Sequence, residues 1–170
     1  MDPCENCRGR GSVESDRSAS VEIPPGVSDG TRLRITGQGE AGPRGAAYGD
    51  LYVEIHVRPD DRYERDGIDL HHPLYVGLAQ ATLGFDATVP LLEGGESEVE
   101  VPAGTQPGTV FRLTGKGVPR LGRRGRGDLL VHVDVSIPTD LTSAEEEALR
   151  SYAEHRGEGV AKTRRRRKAR

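Results

Sequence analysis

The amino-acid sequence predicts an all-β protein: two small sandwich-like modules in tandem, the first of them incomplete, followed by a short C-terminal helix. Three observations carry this prediction. Two blocks of sequence recur at one constant spacing, apolar residues alternate with polar ones in several segments, and proline and glycine mark the turns. Alternation with a period of two is typical of strands with one buried face, because successive side chains point to opposite sides of a strand.

The repeat has an offset of 78 residues. VEIPPGVSDGTRLRITGQG begins at Val21 and VEVPAGTQPGTVFRLTGKG at Val99, while GDLYVEIHV begins at Gly49 and GDLLVHVDV at Gly127. Because two separated blocks keep the same register, we interpret them as copies of one structural module. The recurring glycines are expected at positions that need positive φ or a close approach of the backbone, and a phosphate-binding role for GQG or GKG is not favoured, since neither motif opens a helix.

Each copy is predicted to contain strands at equivalent positions. Residues 51–57 and 129–135 alternate regularly, and Leu33 and Ile35 alternate with polar neighbours. The second copy has a longer front half, with a strand at 68–76, a helical turn at 77–84, a strand at 85–92 and a strand at 97–102. The first copy has no counterpart to this front half, so we expect the chain to begin inside a longer protein.

A helix is predicted after Pro138. Thr142 or Ser143 can serve as the N-cap, acidic residues fill the first turn, and the helix is expected to end at Arg156–Gly157. Its apolar stripe is narrow and consists of Leu141, Leu149 and Tyr152.

Charge and composition restrict the possible functions. The net charge is −3, but residues 161–170 contain seven basic residues and no acidic one, so the remaining body has 17 basic against 27 acidic residues. An acidic body without aromatic residues among its basic ones does not suit a dedicated nucleic-acid-binding domain. No apolar run is long enough to span a membrane, and two cysteines suggest a reducing compartment, so we expect a cytoplasmic protein.

Together, several motifs resemble the C-terminal half of a DnaJ-type co-chaperone of the zinc-containing class. They are CENCRGRG, VEIPPGVSDGTRLRITGQGE, GDLYVEIHVRPDDRYERDGIDL, AQATLGFDATVPLLEG, VEVPAGTQPGTVFRLTGKGVP and GRGDLLVHVDVSIPTDLT, and they cover nearly the whole chain. The resemblance implies five segments: a remnant of the zinc module at 1–11, the remainder of the first C-terminal β-domain at 12–62, the second β-domain at 63–138, a dimerisation helix at 139–157 and a disordered basic tail at 158–170.

By this resemblance, Cys4 and Cys7 form the fourth CxxCxGxG arm of a module in which arms one and four share a zinc ion. A structural zinc site needs four ligands, and these are the only two cysteines in the sequence. Zinc is therefore implied as a cofactor of full-length family members, whereas we expect no stoichiometric zinc in this chain.

The resemblance also implies a function: binding of non-native polypeptides and their delivery to DnaK, in protein folding and the stress response, by a homodimer joined at the C-terminus. Client binding is expected in a groove whose residues include Ala19, Val21 and Ile23 of a strand at 19–23, together with Val53. Plain core packing is the alternative for Val21, Ile23 and Val53. Leu141, Leu149 and Tyr152 are the expected dimerisation residues.

Catalysis is not expected. No Ser-His-Asp spacing, Walker loop or pocketed carboxylate pair is present, and Asp50 and Asp128 fit a turn or the start of a strand. His71 and His72 are neighbours in a predicted strand, so they point to opposite faces, while His56 and His132 are expected to be solvated. The alternative function is that of an interaction protein whose basic tail contacts RNA or ribosomes.

Overall fold

The computed structural model describes residues 13, 15–43 and 46–161 of the chain. Strands dominate, which confirms the all-β prediction, and two helices accompany them. The elements in chain order are β1 (Thr31–Ile35), β2 (Leu51–Ile55), β3 (Glu64–Asp66), β4 (Asp69–Gly77), α1 (Leu78–Leu83), β5 (Phe85–Pro90), β6 (Glu96–Val101), β7 (Val110–Leu113), β8 (Leu129–Ser136) and α2 (Ser143–Arg156). We call β1 and β2 with their loops the first module, and β3–β8 with α1 the second module.

The second module has two layers. One is a four-stranded sheet in the order β3-β4-β8-β7, in which β4 and β8 are parallel and the other pairs are antiparallel. The other is the antiparallel hairpin β5-β6. Apolar residues from both layers form one core, with Leu70, Leu129 and Val131 from the sheet and Val89 and Val101 from the hairpin. This arrangement follows from the alternation in the sequence, because the strands with alternating apolar residues direct one apolar face to the interior.

The first module consists of one antiparallel hairpin. Thr31–Ile35 pairs with Leu51–Ile55 so that Leu33 lies opposite Val53. Asp50, just before β2, accepts a hydrogen bond of 3.0 Å from the Gly37 N–H, and its repeat counterpart Asp128 accepts one of 2.8 Å from Gly115. The structure thus supports the turn role expected for both aspartates.

The two modules touch through the Pro-Gly turn that precedes β1. Arg65 on β3 donates hydrogen bonds to the carbonyl oxygens of Val27 and Gly26, at 2.8 and 3.0 Å. Gly26 has a φ of 87°, and a Cβ built on it would lie 2.1 Å from the Pro119 oxygen. Any larger residue at position 26 would therefore force the backbone at this contact between the modules to shift.

The predicted strand at 19–23 is wrong, since these residues form no β-ladder. Their repeat counterparts in β6 form a strand by pairing with β5. Within the described part of the first module no strand corresponds to β5, and an extended segment gains ladder hydrogen bonds only from a neighbour.

The C-terminal helix begins and ends where the sequence predicts. Thr142 is its N-cap and forms a capping box with Glu145, whose carboxylate lies 2.7 Å from the Thr142 N–H. Gly157 ends the helix in the left-handed conformation that glycine adopts without strain. Neither helix in the described part of the chain is long and apolar enough to cross a membrane.

Candidate functional site

The four residues expected to bind clients lie in two parts of the first module. Val53 is in the middle of β2 and is half-buried. Ala19 and Ile23 are exposed, Ile23 by 54%, and Val21 is half-buried, all three in the segment without strand pairing. The structure therefore leaves apolar surface accessible at these positions.

Val53 belongs to a larger apolar surface that the sequence analysis did not single out. The hairpin places five apolar side chains on one face, and each of them is half-buried. We call this surface the β1–β2 apolar face; its residues are Leu33, Ile35, Leu51, Val53 and Ile55.

The opposite face of the hairpin is polar and solvated. Arg32 pairs with Glu54 at 3.2 Å, and the Arg34 Nε donates to an Asp50 oxygen at 2.7 Å. The Gly37 N–H, and after it the Arg34 guanidinium, hold the pKa of Asp50 below its usual range. Tyr52 is exposed on this same face. The hairpin is thus amphipathic, with one apolar face and one polar face.

The repeat allows this apolar face to be compared with the equivalent positions of the second module, which are covered by other elements. Leu51, Val53 and Ile55 correspond, 78 residues later, to Leu129, Val131 and Val133. Those three residues are exposed by only 0, 0 and 2%, because the β5-β6 hairpin, β4 and α1 surround them. The same positions are half-buried in the first module. The register of the repeat is the signal that could have identified the whole face from the sequence.

The predicted dimerisation residues lie on α2 and directly before it. Leu149 and Tyr152 are three residues apart on α2 and share one side of the helix, and Leu141 precedes the N-cap. All three are exposed. After Gly157 the chain turns back along the helix, where the Arg150 guanidinium donates to the Ala161 oxygen at 2.9 Å. Because Leu141, Leu149 and Tyr152 are exposed, their apolar side chains are accessible to a partner chain.

The structure contradicts the expected solvent exposure of one histidine. His132 was expected to be solvated, and this is wrong: it is half-buried, and its Nε2 lies 2.8 Å from Nδ1 of His71. His72 points to the other side of β4, where its Nδ1–H donates to the Arg62 oxygen at 2.8 Å. His56 is solvated as expected. The contact between His71 and His132 joins positions 61 residues apart, so local alternation could not reveal it.

The predicted metal ligands Cys4 and Cys7 lie outside the described residues. Within residues 13, 15–43 and 46–161, no group of three or more His, Cys, Asp and Glu side chains could hold a metal ion.

Comparisons with known proteins agree with the resemblance that the sequence motifs indicate. The family model for the DnaJ C terminal domain matches residues 6–138. The chain is 47% identical over 163 residues to "Chaperone protein DnaJ 1" of Mycolicibacterium paratuberculosis, covering 96% of this chain and 43% of that protein. It is 50% identical over 157 residues to "Chaperone protein DnaJ" of Haloarcula marismortui, covering 92% of this chain and 41% of that protein.

A third relative, "Chaperone protein DnaJ" of Syntrophobacter fumaroxidans, is 45% identical over 166 residues. The chain spans less than half the length of these curated relatives. The family model and the high identity over nearly the whole chain lead to one conclusion: this chain belongs to the DnaJ C-terminal domain family.

Proposed function

We propose that this chain binds non-native polypeptides on the β1–β2 apolar face and delivers them to DnaK, as the C-terminal part of a DnaJ-type co-chaperone in the cytoplasm. The observation that carries the proposal is the contrast between the two modules. Leu51, Val53 and Ile55 are half-buried, whereas their counterparts 78 residues later are fully buried. An unfolded polypeptide exposes apolar side chains, and covering them against this face removes apolar area from water.

The backbone of the hairpin supports the same proposal. In the described part of the chain, β1 pairs only with β2 and β2 only with β1, so each strand has one edge without a β-ladder. An extended peptide can add to such an edge through backbone hydrogen bonds while its alternate side chains contact the apolar face. Recognition of this kind needs no defined sequence, which suits a protein that receives many clients, and it forms and breaks no covalent bond.

The exposed residues Leu141, Leu149 and Tyr152 support a homodimer joined near the C-terminus. A two-fold contact uses the same patch from both chains, so each chain contributes its narrow apolar stripe to the buried area of the interface. A dimer would present two β1–β2 apolar faces to one client, and linked binding sites hold a flexible ligand more tightly than a single site does.

Peptide binding to paired variants tests the proposal. A labelled, unstructured peptide rich in Leu and Val is titrated with the protein, and its fluorescence anisotropy reports binding. Val53→Thr keeps the size of the side chain but places a hydroxyl on the apolar face, so we expect affinity to fall about fivefold, equivalent to roughly 1 kcal/mol. The matched control is Tyr52→Thr on the opposite face, which should change affinity less than twofold.

The proposal fails if the unaltered chain does not bind the peptide, or if Tyr52→Thr weakens binding as much as Val53→Thr does. Circular dichroism of both variants checks that each retains the β-sheet signal of the unaltered chain.

A further inference from the structure

A hairpin in the loop between β7 and β8 carries three arginines at its tip. Its two arms are joined by backbone hydrogen bonds, one of which runs from the Arg120 N–H to the Gly125 oxygen at 3.0 Å. At the base, Val118 accepts a hydrogen bond of 3.0 Å from the Gly127 N–H and is buried in the core of the second module. We call residues 120–125 the arginine tip; its charged residues are Arg120, Arg123 and Arg124.

A tight turn fixes the backbone of the arginine tip. The Arg123 N–H donates to the Arg120 oxygen at 3.3 Å, and Gly122 and Gly125 have φ values of 65° and 102°, which glycine adopts without strain. A Cβ built on Gly125 would lie 3.8 Å from Cδ of Arg120, so the Arg120 side chain lies against Gly125, the neighbour of Arg124. The turn thus keeps three arginines within one short stretch of fixed backbone.

The positive charge of the arginine tip is not neutralised by neighbouring side chains. Arg120, Arg123 and Arg124 are exposed, and none of them forms an ion pair with any residue that the structure describes. The next arginine along the chain, Arg126, does pair with Glu93. Outside residues 161–170 the chain has 17 basic against 27 acidic residues, so the tip is a positive patch on an acidic body.

The repeat indicates that the module does not need these arginines in order to fold. The positions 78 residues before Arg120, Arg123 and Arg124 hold residues without charge, namely Gly42, Gly45 and Ala46. Both copies nevertheless form the same hairpin of strands on either side of this loop, β1-β2 in the first module and β7-β8 in the second. A role in binding therefore accounts for the three charges better than a role in folding does.

We propose that the arginine tip binds an acidic segment of another polypeptide, a function separate from client binding on the β1–β2 apolar face. Guanidinium groups match the geometry of carboxylates, with which they form paired hydrogen bonds. Leu121, exposed by 50% among the arginines, adds an apolar contact that suits a peptide. Nucleic acid fits less well, because the tip has no aromatic residue for base stacking and the acidic body repels a long polyanion.

The experiment uses the full chain with the seven basic residues of 161–170 replaced by glutamine, because these residues would attract acidic peptides themselves. A labelled peptide, Glu-Glu-Glu-Leu-Glu-Glu-Glu, is titrated at low ionic strength, and fluorescence anisotropy reports binding. Replacing all three arginines of the tip by glutamine should weaken binding at least about fivefold, since exposed ion pairs are individually weak but three are lost. A control with equal net charge replaces the exposed residues Arg17, Arg32 and Arg58 by glutamine and should change affinity less than about twofold.

A second measurement needs no substitution in the arginine tip. The peptide should shift the backbone amide resonances of residues 120–125 in NMR spectra, and the same peptide with glutamine in place of glutamate should not. Shifts confined to the β1–β2 apolar face, or an equal loss of affinity in the control variant, would overturn the proposal. Tighter binding of a single-stranded RNA of six nucleotides than of the acidic peptide would also overturn it.

Discussion

The repeat places equivalent leucines in the two modules, and we predict that replacing each by alanine lowers the stability of its module to a different extent. Leu129 is fully buried, at 0% exposure, in the core of the second module, and Leu51 is its half-buried counterpart in the first. Leu129→Ala loses the apolar transfer free energy and leaves a cavity, so it should cost about 3–5 kcal/mol. Leu51→Ala removes a side chain that is only partly withdrawn from water and leaves an open surface, so it should cost about 1 kcal/mol.

Hydrogen exchange of backbone amides measures each module separately, since protection reports the free energy of the opening that exposes an amide. A loss of 3 kcal/mol is a factor of more than 100 in an equilibrium constant, and 1 kcal/mol is a factor of about five. We therefore expect protection in Leu129–Ser136 to fall more than 100-fold in Leu129→Ala. Protection in Leu51–Ile55 should fall about fivefold in Leu51→Ala. Equal losses in the two variants, or a larger loss for Leu51→Ala, would refute the reasoning that the first module has an uncovered face.

Three further predictions concern assembly, partner and metal. Removing the residues from Asp140 onward deletes α2 and its exposed apolar side chains, so the mass from light scattering should shift from dimer towards monomer; an unchanged mass would contradict the dimerisation role. The family resemblance implies that a His-Pro-Asp triplet is what stimulates ATP hydrolysis by DnaK, and this sequence contains no such triplet. The purified chain should therefore not stimulate steady-state ATP hydrolysis by DnaK, and a several-fold stimulation would contradict the assignment of its parts. After dialysis the chain should contain well under one zinc ion, since two cysteines leave a four-coordinate site open, whereas one zinc per chain that is lost in Cys4→Ser would require ligands from elsewhere.

Strands with a clear alternation could be predicted from the sequence to within about two residues. β4, β5, β6 and β8 lie at the predicted positions, because the apolar side chains that each one buries lie on one face of the strand, an even number of residues apart. β3 was not predicted. It consists of the charged residues Glu64, Arg65 and Asp66 and owes its strand conformation to pairing with β4.

The features of the candidate sites that depend on neighbouring residues in the sequence could be predicted, whereas those that depend on strand pairing could not. The N-cap at Thr142 and the C-cap at Gly157 depend on residues within one turn of the helix end and could be predicted. The contact between His71 and His132 depends on the parallel pairing of β4 with β8, and no local pattern contains that information. The segment at 19–23 has the alternation of a strand but lacks a pairing partner in the described structure, so the pattern alone misled.

The central claim is that clients bind the β1–β2 apolar face of the first module. Hydrogen exchange with and without a saturating unstructured peptide rich in Leu and Val tests it most directly. The bound peptide should slow exchange in Thr31–Ile35 and Leu51–Ile55, because it adds hydrogen bonds and covers the apolar face there. Exchange in β4 and β8 should remain unchanged. Protection confined to the second module, or none in β1 and β2, would contradict the claim.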